Sequence, residues 1–318
     1  MVRIVTPGTR EANNGNWRTA QRWAQLISQV ARPIVQSAWQ GEPTDILFAL
    51  HAHRSAASIA AARAAHPLLP IVVVLSGTDL YRDLPDSGEA RRSLDIADRI
   101  IALQFDARRQ LPPPWAEKCV VIYQSAPALP PVRKAADQLD VVVVGHLREE
   151  KDPRTLWRAL ERLNPALPVR VKHIGAALDP KLEAEARAMM ARDPRYQWVG
   201  ARPHGLARIA IQRAHLLVHP SLMEGGANVI VEAITSGTPV LASFMSGNLG
   251  MLGSEYPGYF PVGDAQALAE RLEALARDPA GLISLRRACK GIAHLFTPQR
   301  ERSALRRLVI ELQRRASA

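Results

Sequence analysis

Short runs of consecutive apolar residues, rich in β-branched side chains, recur along this chain of 318 residues and set the strongest limit on how it folds. They fall at Arg3–Val5, Asp45–Leu50, Ile71–Leu75, Arg99–Leu103 and Val120–Tyr123. A strand apolar at consecutive positions suits a sheet covered on both faces, which means parallel strands flanked by helices. Between the runs, Trp17–Val30, Ser55–Ala65 and Ser87–Ala97 carry helical spacing. Strand and helix in alternation are the signature of repeated βαβ units. Residues Ala126–Leu139 then break the rhythm with Pro127, Pro130 and Pro131. Proline has no donor for a sheet ladder, so this stretch reads as a linker. A second series follows, with strands expected at Asp140–Gly145, Val169–Ile174, Tyr196–Val199, Leu216–His219 and Pro239–Ala242. Its helices are expected at Arg154–Leu163, Pro180–Ala191, Leu206–Arg213 and Asn228–Thr235, and Ala265–Arg315 reads as helix broken at Pro279 and Pro298. The fold class is therefore α/β. Two doubly wound domains are expected at 1–125 and 140–298, joined by a linker at 126–139, with a helix at 299–318 packing back towards the first. Such a pair puts a cleft between the carboxyl ends of two sheets, where these folds bind ligands.

A formal net charge of +11 raises the question of nucleic acid, but only 5% of the residues are aromatic. The positive charge is spread along the chain rather than massed in one segment. That argues against a nucleic-acid surface and suits a smaller anionic ligand, whose local concentration a positive field raises. No apolar run approaches the roughly 20 residues of a membrane span, and Pro7 interrupts the first apolar stretch too early for a signal peptide. A cytoplasmic protein is expected, with Cys119 and Cys289 as buried free thiols. The chain has no Gly-x-Gly-x-x-Gly after its first strand, no P-loop, no His-Glu-x-x-His and no Gly-x-Ser-x-Gly. It also has no Asp-x-Asp to hold a cation against a diphosphate, so no metal and no cofactor is expected. Diphosphate chemistry here falls to arginine, lysine and backbone N–H groups.

Residues 215–243 are the most informative. An apolar strand ends in Pro220-Ser221; Glu224, Gly225, Gly226, Ala227 and Asn228 follow, then a helix carrying Glu232. Glycines let backbone approach a phosphate, and a helix N-terminus supplies N–H donors and partial positive charge. Two carboxylates beside an anion site make sense as acceptors for hydroxyl groups. A diphosphate with a sugar at each end fits, with Glu232 on a ribose and Glu224 on the other sugar.

Glu224 and Glu232, with seven residues between them, match the Glu-x7-Glu signature, and here the chain resembles the retaining GT-B glycosyltransferases of family 4. Val143-Val144-Gly145 with Glu150-Lys151, His173-Ile174-Gly175, Trp198-Val199-Gly200 and Gly237-Thr238-Pro239-Val240 resemble further segments of that family in the right order. The resemblance implies a GT-B fold of two Rossmann-like domains with an interdomain cleft. It also implies that Lys151 binds the donor diphosphate, Glu232 the ribose and Glu224 the donor sugar, with Gly200, Arg202, Gly225, Gly226, Ala227 and Asn228 lining the donor site. His146 stands where the family has its diphosphate arginine, so Arg148 is the expected substitute. Ser76 replaces a family histidine.

The acceptor is to be read from the first domain. After the first strand, a polar loop containing Asn13 and Asn14 runs into a helix opening with Gly15, Asn16, Arg18 and Thr19. These are anion-binding donors. His51 and His53, Thr78 and Asp79, and Tyr123-Gln124-Ser125 lie at strand ends; His51 and His53 lack the further ligands of a metal site. His53, Thr78 and Asp79 are expected to help hold the acceptor. The segments Gly15–Trp23, Gly77–Tyr81 and Glu224–Glu232 together are similar to those of selenosugar synthases, short GT-B relatives that serve selenoneine biosynthesis. That resemblance covers almost the whole chain. It implies a UDP-sugar donor, chiefly UDP-N-acetylglucosamine, and selenophosphate as a small anionic acceptor, yielding a 1-seleno sugar with UDP and phosphate released. Catalysis is then electrostatic and positional, with Lys151, Arg148 and the Gly225–Asn228 amides at the leaving diphosphate. Two rival readings are a GT-B enzyme for an ordinary hydroxyl acceptor and a nucleotide-sugar sensor without turnover, the latter suggested by His146 and Ser76. The oligomeric state stays open.

Overall fold

The computed structural model describes residues 1–8 and 15–316; Asn13 and Asn14 lie outside them. The chain divides into two compact units. The first comprises Met1–Ser125, Glu224–Asn228 and Phe296–Ala318, and the second Ala126–Met223 and Val229–Leu295.

In the first unit the strands are β1 (Val2–Val5), β2 (Pro33–Gln36), β3 (Ile46–Leu50), β4 (Ile71–Leu75), β5 (Arg99–Ala102) and β6 (Cys119–Val121). They form a six-stranded parallel sheet in the order β2-β1-β3-β4-β5-β6. Side chains alternate across a strand, and here both sets are buried. Leu47, Ala49, Ile71 and Val73 enter one core with Ile59 and Leu94. Their neighbours Ile46, Phe48, Val72 and Val74 enter a second core with Trp23 and Ile27. That is why the runs are apolar at every position. β2 is a strand that the runs did not announce: Pro33 opens it, its four residues are half-buried, and it lies at the sheet edge, where proline is tolerated and patterning fades.

The helix Pro298–Ala316 belongs to this unit. Leu305, Leu308, Val309 and Leu312 form one helical stripe buried in the core of Ile4, Trp23 and Phe48.

In the second unit the strands are β7 (Leu139–Val144), β8 (Val169–Ile174), β9 (Tyr196–Trp198), β10 (Leu216–His219), β11 (Val240–Ser243) and β12 (Tyr259–Phe260). The order is β12-β11-β10-β7-β8-β9, again all parallel, and it is the order of the dinucleotide-binding folds. Only two residues long, β12 carried no run to read. Asp-Pro pairs start three helices: Asp152, Asp179 and Asp278 accept from N–H groups of the first turns of Pro153–Arg162, Pro180–Arg192 and Pro279–Ile292. Proline there gives up an N–H that the helix start would leave unpaired anyway.

Winding reverses between β1 and β3 in the first sheet and between β7 and β10 in the second. Loops leaving the carboxyl ends of strands at such a reversal are where open α/β sheets bind ligands.

Leu305 is fully buried, so Leu305→Ala should cost about 2–5 kcal/mol in chemical unfolding. A loss below about 1 kcal/mol would show that the last helix is not part of this core.

Candidate active site

The reversal point of the second sheet carries the turn that follows β7. Residues Glu149–Lys151 form a single 3-10 turn, and the amide of Leu222, in the loop leaving β10, donates to Glu150 O at 2.9 Å. The Lys151 stem runs along Gly145, so a Cβ at Gly145 would lie 3.5 Å from Lys151 Cδ. Arg148 Nε is buried and 3.9 Å from Glu150 Oε2, which sets part of its charge against a neighbour in the same turn. His146 Nδ1 accepts from the Ala176 amide at 3.0 Å and so fastens the loop after β8. His173 lies fully buried between Gly145 O at 3.0 Å and Tyr196 Oη at 2.8 Å. Burial lowers its pKa to about 4, so the neutral ring donates from Nε2 to Gly145 and accepts at Nδ1.

On the helix Asn228–Thr235, the Glu232 carboxylate lies 2.6 Å from His204 Nε2 with 13% of its side chain exposed. Glu232 is therefore not a solvated surface charge. His204 is a partner that the sequence reading did not single out; nothing in the spacing of residues 204 and 232 signals their meeting. Gly200 adopts φ +70° in the turn after β9 and accepts from the Gly175 amide at 3.0 Å. Arg202 is exposed, with a 3.5 Å contact to the carbonyl of Ala201.

The remaining residues lie in the first unit. Glu224, Gly225, Gly226, Ala227 and Asn228 form a segment of that unit, and the glycine pair has a local cause. A Cβ on Gly225 would come within 2.3 Å of the Ser76 carbonyl carbon, and one on Gly226 within 2.6 Å of Leu103 Cβ. Gly225 admits the Ser76–Gly77 backbone and Gly226 the Leu103 side chain, where the sequence pattern suggests room for a phosphate. Gln124 holds this segment: its Nε2 donates to Gly226 O at 2.7 Å while its Oε1 accepts from Arg22 Nη2 at 2.6 Å. Arg22 Nη1 also reaches Asn228 Oδ1 at 3.3 Å, and its Nε meets both oxygens of Glu301. The Glu301 carboxylate is buried and accepts from Trp23 Nε1 and Ser125 Oγ as well. The chain Glu301–Arg22–Gln124–Gly226 thus ties the C-terminal helix to the Gly15–Ile27 helix and to the glycine segment. Glu301 lies 279 positions from Arg22, and no local pattern in the sequence flags it.

Two expected acceptor residues have other work. The Thr19 hydroxyl lies 2.9 Å from Gly15 O and 2.8 Å from Gln124 Oε1, so it orders the helix start. Asp79 is fully buried and accepts from the amides of Ala52, Ser76, Gly77 and Leu80. Its oxygens organise the β3 and β4 loops instead of facing a ligand. Thr78 Oγ1 lies 3.0 Å from His51 Nε2, and His53 Nδ1 lies 2.9 Å from Ser87 Oγ. His51 is buried at φ 75°, with Asp83 at 3.6 Å, and burial lowers its pKa despite the two nearby aspartates. Gly15, Asn16 and Arg18 stand on the first turn of their helix, and among the described residues Arg18 has no carboxylate partner. No group of three metal-ligating side chains comes together among the described residues.

Residues 128–294 match the family described as glycosyl transferases group 1. The chain belongs to that family. HepE of Anabaena, solved in complex with UDP-glucose, resembles this glycosyl transferase with a TM-score of 0.74 at 17% identity, covering 98% of this chain and 99% of that one. Sucrose-phosphate synthase of Thermosynechococcus elongatus does so with a TM-score of 0.78 at 16% identity, covering 98% of each. These likenesses establish the α/β GT-B fold. The gpi3 subunit of a phosphatidylinositol N-acetylglucosaminyltransferase of Schizosaccharomyces pombe is 30% identical over 120 residues, 37% of this chain and 26% of that protein. The match thus spans about a quarter of that relative's length. Residues 128–294, matched to the family, include Lys151, Arg148, Gly200, Arg202, Glu224 and Glu232.

Removing one member of a buried ion pair costs about 3–5 kcal/mol, so Glu301→Ala should lower unfolding free energy by that much, and a loss under 1 kcal/mol would deny the pair its role. For His173 the folded pKa, about 4, lies below the ordinary value of 6.5. The unfolded chain binds the extra proton, and the stability held above 6.5 is lost as pH falls towards 4, at up to about 1.4 kcal/mol per pH unit. Unfolding curves of wild type and His173→Gln across that range should differ by this slope; parallel curves would rule it out.

Proposed function

We propose that the protein is a glycosyltransferase that takes a UDP-sugar, chiefly UDP-N-acetylglucosamine, as donor and selenophosphate as acceptor. Membership of glycosyl transferases group 1 supports sugar transfer. A UDP donor is supported by the UDP-glucose complex of HepE, and N-acetylglucosamine by the name of the fission-yeast relative.

One observation carries the anionic acceptor. The Gly15–Ile27 helix starts beside Asn228, whose Nδ2 lies 3.9 Å from where a Cβ of Gly15 would sit. Arg22 bonds that same asparagine. The starts of the two helices meet at Asn228, with Arg18 on the first turn of one of them; Arg22 holds Asn228 in place while its own charge is set against Glu301. Helix N-termini favour negative charge through unpaired N–H groups and the aligned peptide dipoles. A compact, highly charged acceptor suits that setting; a lipid does not.

Glu232 accepts from the donor ribose and Glu224 from the hydroxyls of the transferred sugar. Lys151, aided by Arg148, and the amides of Gly225–Asn228 take up the charge that grows on the diphosphate as the anomeric C–O bond breaks. The selenium lone pair of selenophosphate forms the new bond to the anomeric carbon, and UDP leaves with the electrons of the old one. Water then cleaves the Se–P bond, giving phosphate and the 1-seleno sugar. Selenophosphate is already ionised, so no strong general base is required. Gly15, Asn16 and Arg18 hold the acceptor directly. Thr19 and Asp79 position the loops around it, and His53 and Thr78 act through Ser87 and His51.

Mass spectrometry of reactions containing selenophosphate and a panel of UDP-sugars tests this. The expected product is a seleno-N-acetylhexosamine, with one UDP and one phosphate per turnover. Transfer to sugar hydroxyls without selenosugar would overturn the acceptor, and UDP-sugar binding without UDP release would leave a sensor. Lys151→Ala should lower kcat about 100-fold or more, as loss of one charge-stabilising donor does, while Glu232→Ala acts mainly on the KM for donor.

A further inference from the structure

β8 breaks a rule that the other central strands keep. A strand inside a parallel sheet is covered on both faces, yet Val169, Val171 and His173 are buried while Arg170 and Lys172 between them are exposed. One face of β8 is thus open to solvent, and it is cationic. It forms a wall of a cavity of about 650 Å³ that lies wholly within the second unit. The opposite wall is the helix His204–Arg213, which contributes Leu206, Ile209, Ala210 and Arg213 at helical spacing from a single face. Arg133 and Lys134 close one side.

The cavity touches β7 at Asp140–Val142. The turn bearing Lys151 leaves the opposite end of that strand, so this is not the site described above.

Five cationic side chains line it against one carboxylate, Asp140, and that carboxylate is bonded to Arg170 at 3.0 Å. Lys134 donates to Ala214 O and lies 3.3 Å from Thr238 Oγ1. Burial, with the Arg286 charge adding to it, lowers its pKa to about 8. Among the described residues Arg133, Lys172 and Arg213 have no carboxylate partner. Leu206 and Ile209 remain 54% and 41% exposed, so an apolar strip lies beside the charges. A concave space of this volume is in the range of small-molecule pockets, and its charge calls for an anion.

We propose that this cavity binds a soluble organic phosphate of nucleotide size, with its phosphates on Arg133, Lys172 and Arg213 and its apolar or aromatic body on Leu206 and Ile209. The shape favours a compact ligand over a polymer. An extended nucleic acid would engage a stripe of charge with stacking aromatics, and none of the lining residues is aromatic.

Calorimetric titration of the full chain with inorganic pyrophosphate and with ADP tests the assignment. Both should bind, ADP the more tightly. Lys172→Ala combined with Arg213→Ala should weaken both about tenfold or more, the loss expected when charge-assisted contacts are removed. Leu206→Ser should reduce the advantage of ADP and leave pyrophosphate unchanged. These are surface substitutions, and matching unfolding midpoints confirm that the variants fold. The proposal is overturned if the double variant binds ADP as wild type does, or if ADP binding is abolished by Glu232→Ala and so belongs to the donor site. It is also overturned if single-stranded RNA is bound through Lys172 and Arg213 while ADP is not.

Discussion

The layout of the loops in both units follows from the need to cover the faces of parallel strands. A parallel pair cannot be joined by a tight turn, so each connection crosses a face of the sheet, and the loops that begin those crossings gather at the carboxyl ends. Where the winding reverses, neighbouring loops part company and leave backbone groups turned towards solvent. The Lys151 turn occupies the reversal of the second sheet, and His51 with the start of the Gly15–Ile27 helix follows the reversal of the first. Both positions are consequences of topology.

Two buried carboxylates do the organising in the first unit. Asp79 gathers four backbone amides from the β3 and β4 loops, and Glu301 gathers an arginine, a tryptophan and a serine. A buried charge survives only when its lone pairs are matched by donors, and each of these is. Both fix the surroundings of the glycine segment, Asp79 by shaping the Ser76–Gly77 backbone that Gly225 touches and Glu301 through Arg22 and Gln124. Acidic residues that serve structure and acidic residues that face substrate look alike in a sequence; hydrogen-bond saturation separates them.

Most strands of the first unit were legible because a short run of consecutive apolar, β-branched residues suits a strand buried on both faces and little else. Asn228–Thr235 was legible because glycines and proline frame it. β2 was not, since an edge strand opened by Pro33 has neither continuous burial nor alternation. Glu224 and Glu232 stood out by spacing and by the glycines between them. Thr19 reads as facing a ligand because it stands at a helix start after a polar loop, and Asp79 because it stands at a strand end; their partners, Gln124 and the amides of Ala52 and Ser76, are brought to them by the fold and are not marked in the sequence. Gly225 and Gly226 were noticed for the right residue type, but their steric cause is the backbone of Ser76 and the side chain of Leu103.

The sequence by itself determined the α/β class, the repeating strand–helix order, the diglycine segment with its two glutamates, and the excess of arginine. These depend on local periodicity and composition, which a chain carries whether folded or not. Only the tertiary structure decided that Glu232 meets His204, that Glu301 meets Arg22, and that β8 leaves Arg170 and Lys172 bare beside an apolar helix face. Such pairings join residues tens to hundreds of positions apart, and a hydrogen bond is formed or lost over less than an ångström. The folded backbone sets that distance, and no pattern along the chain encodes it.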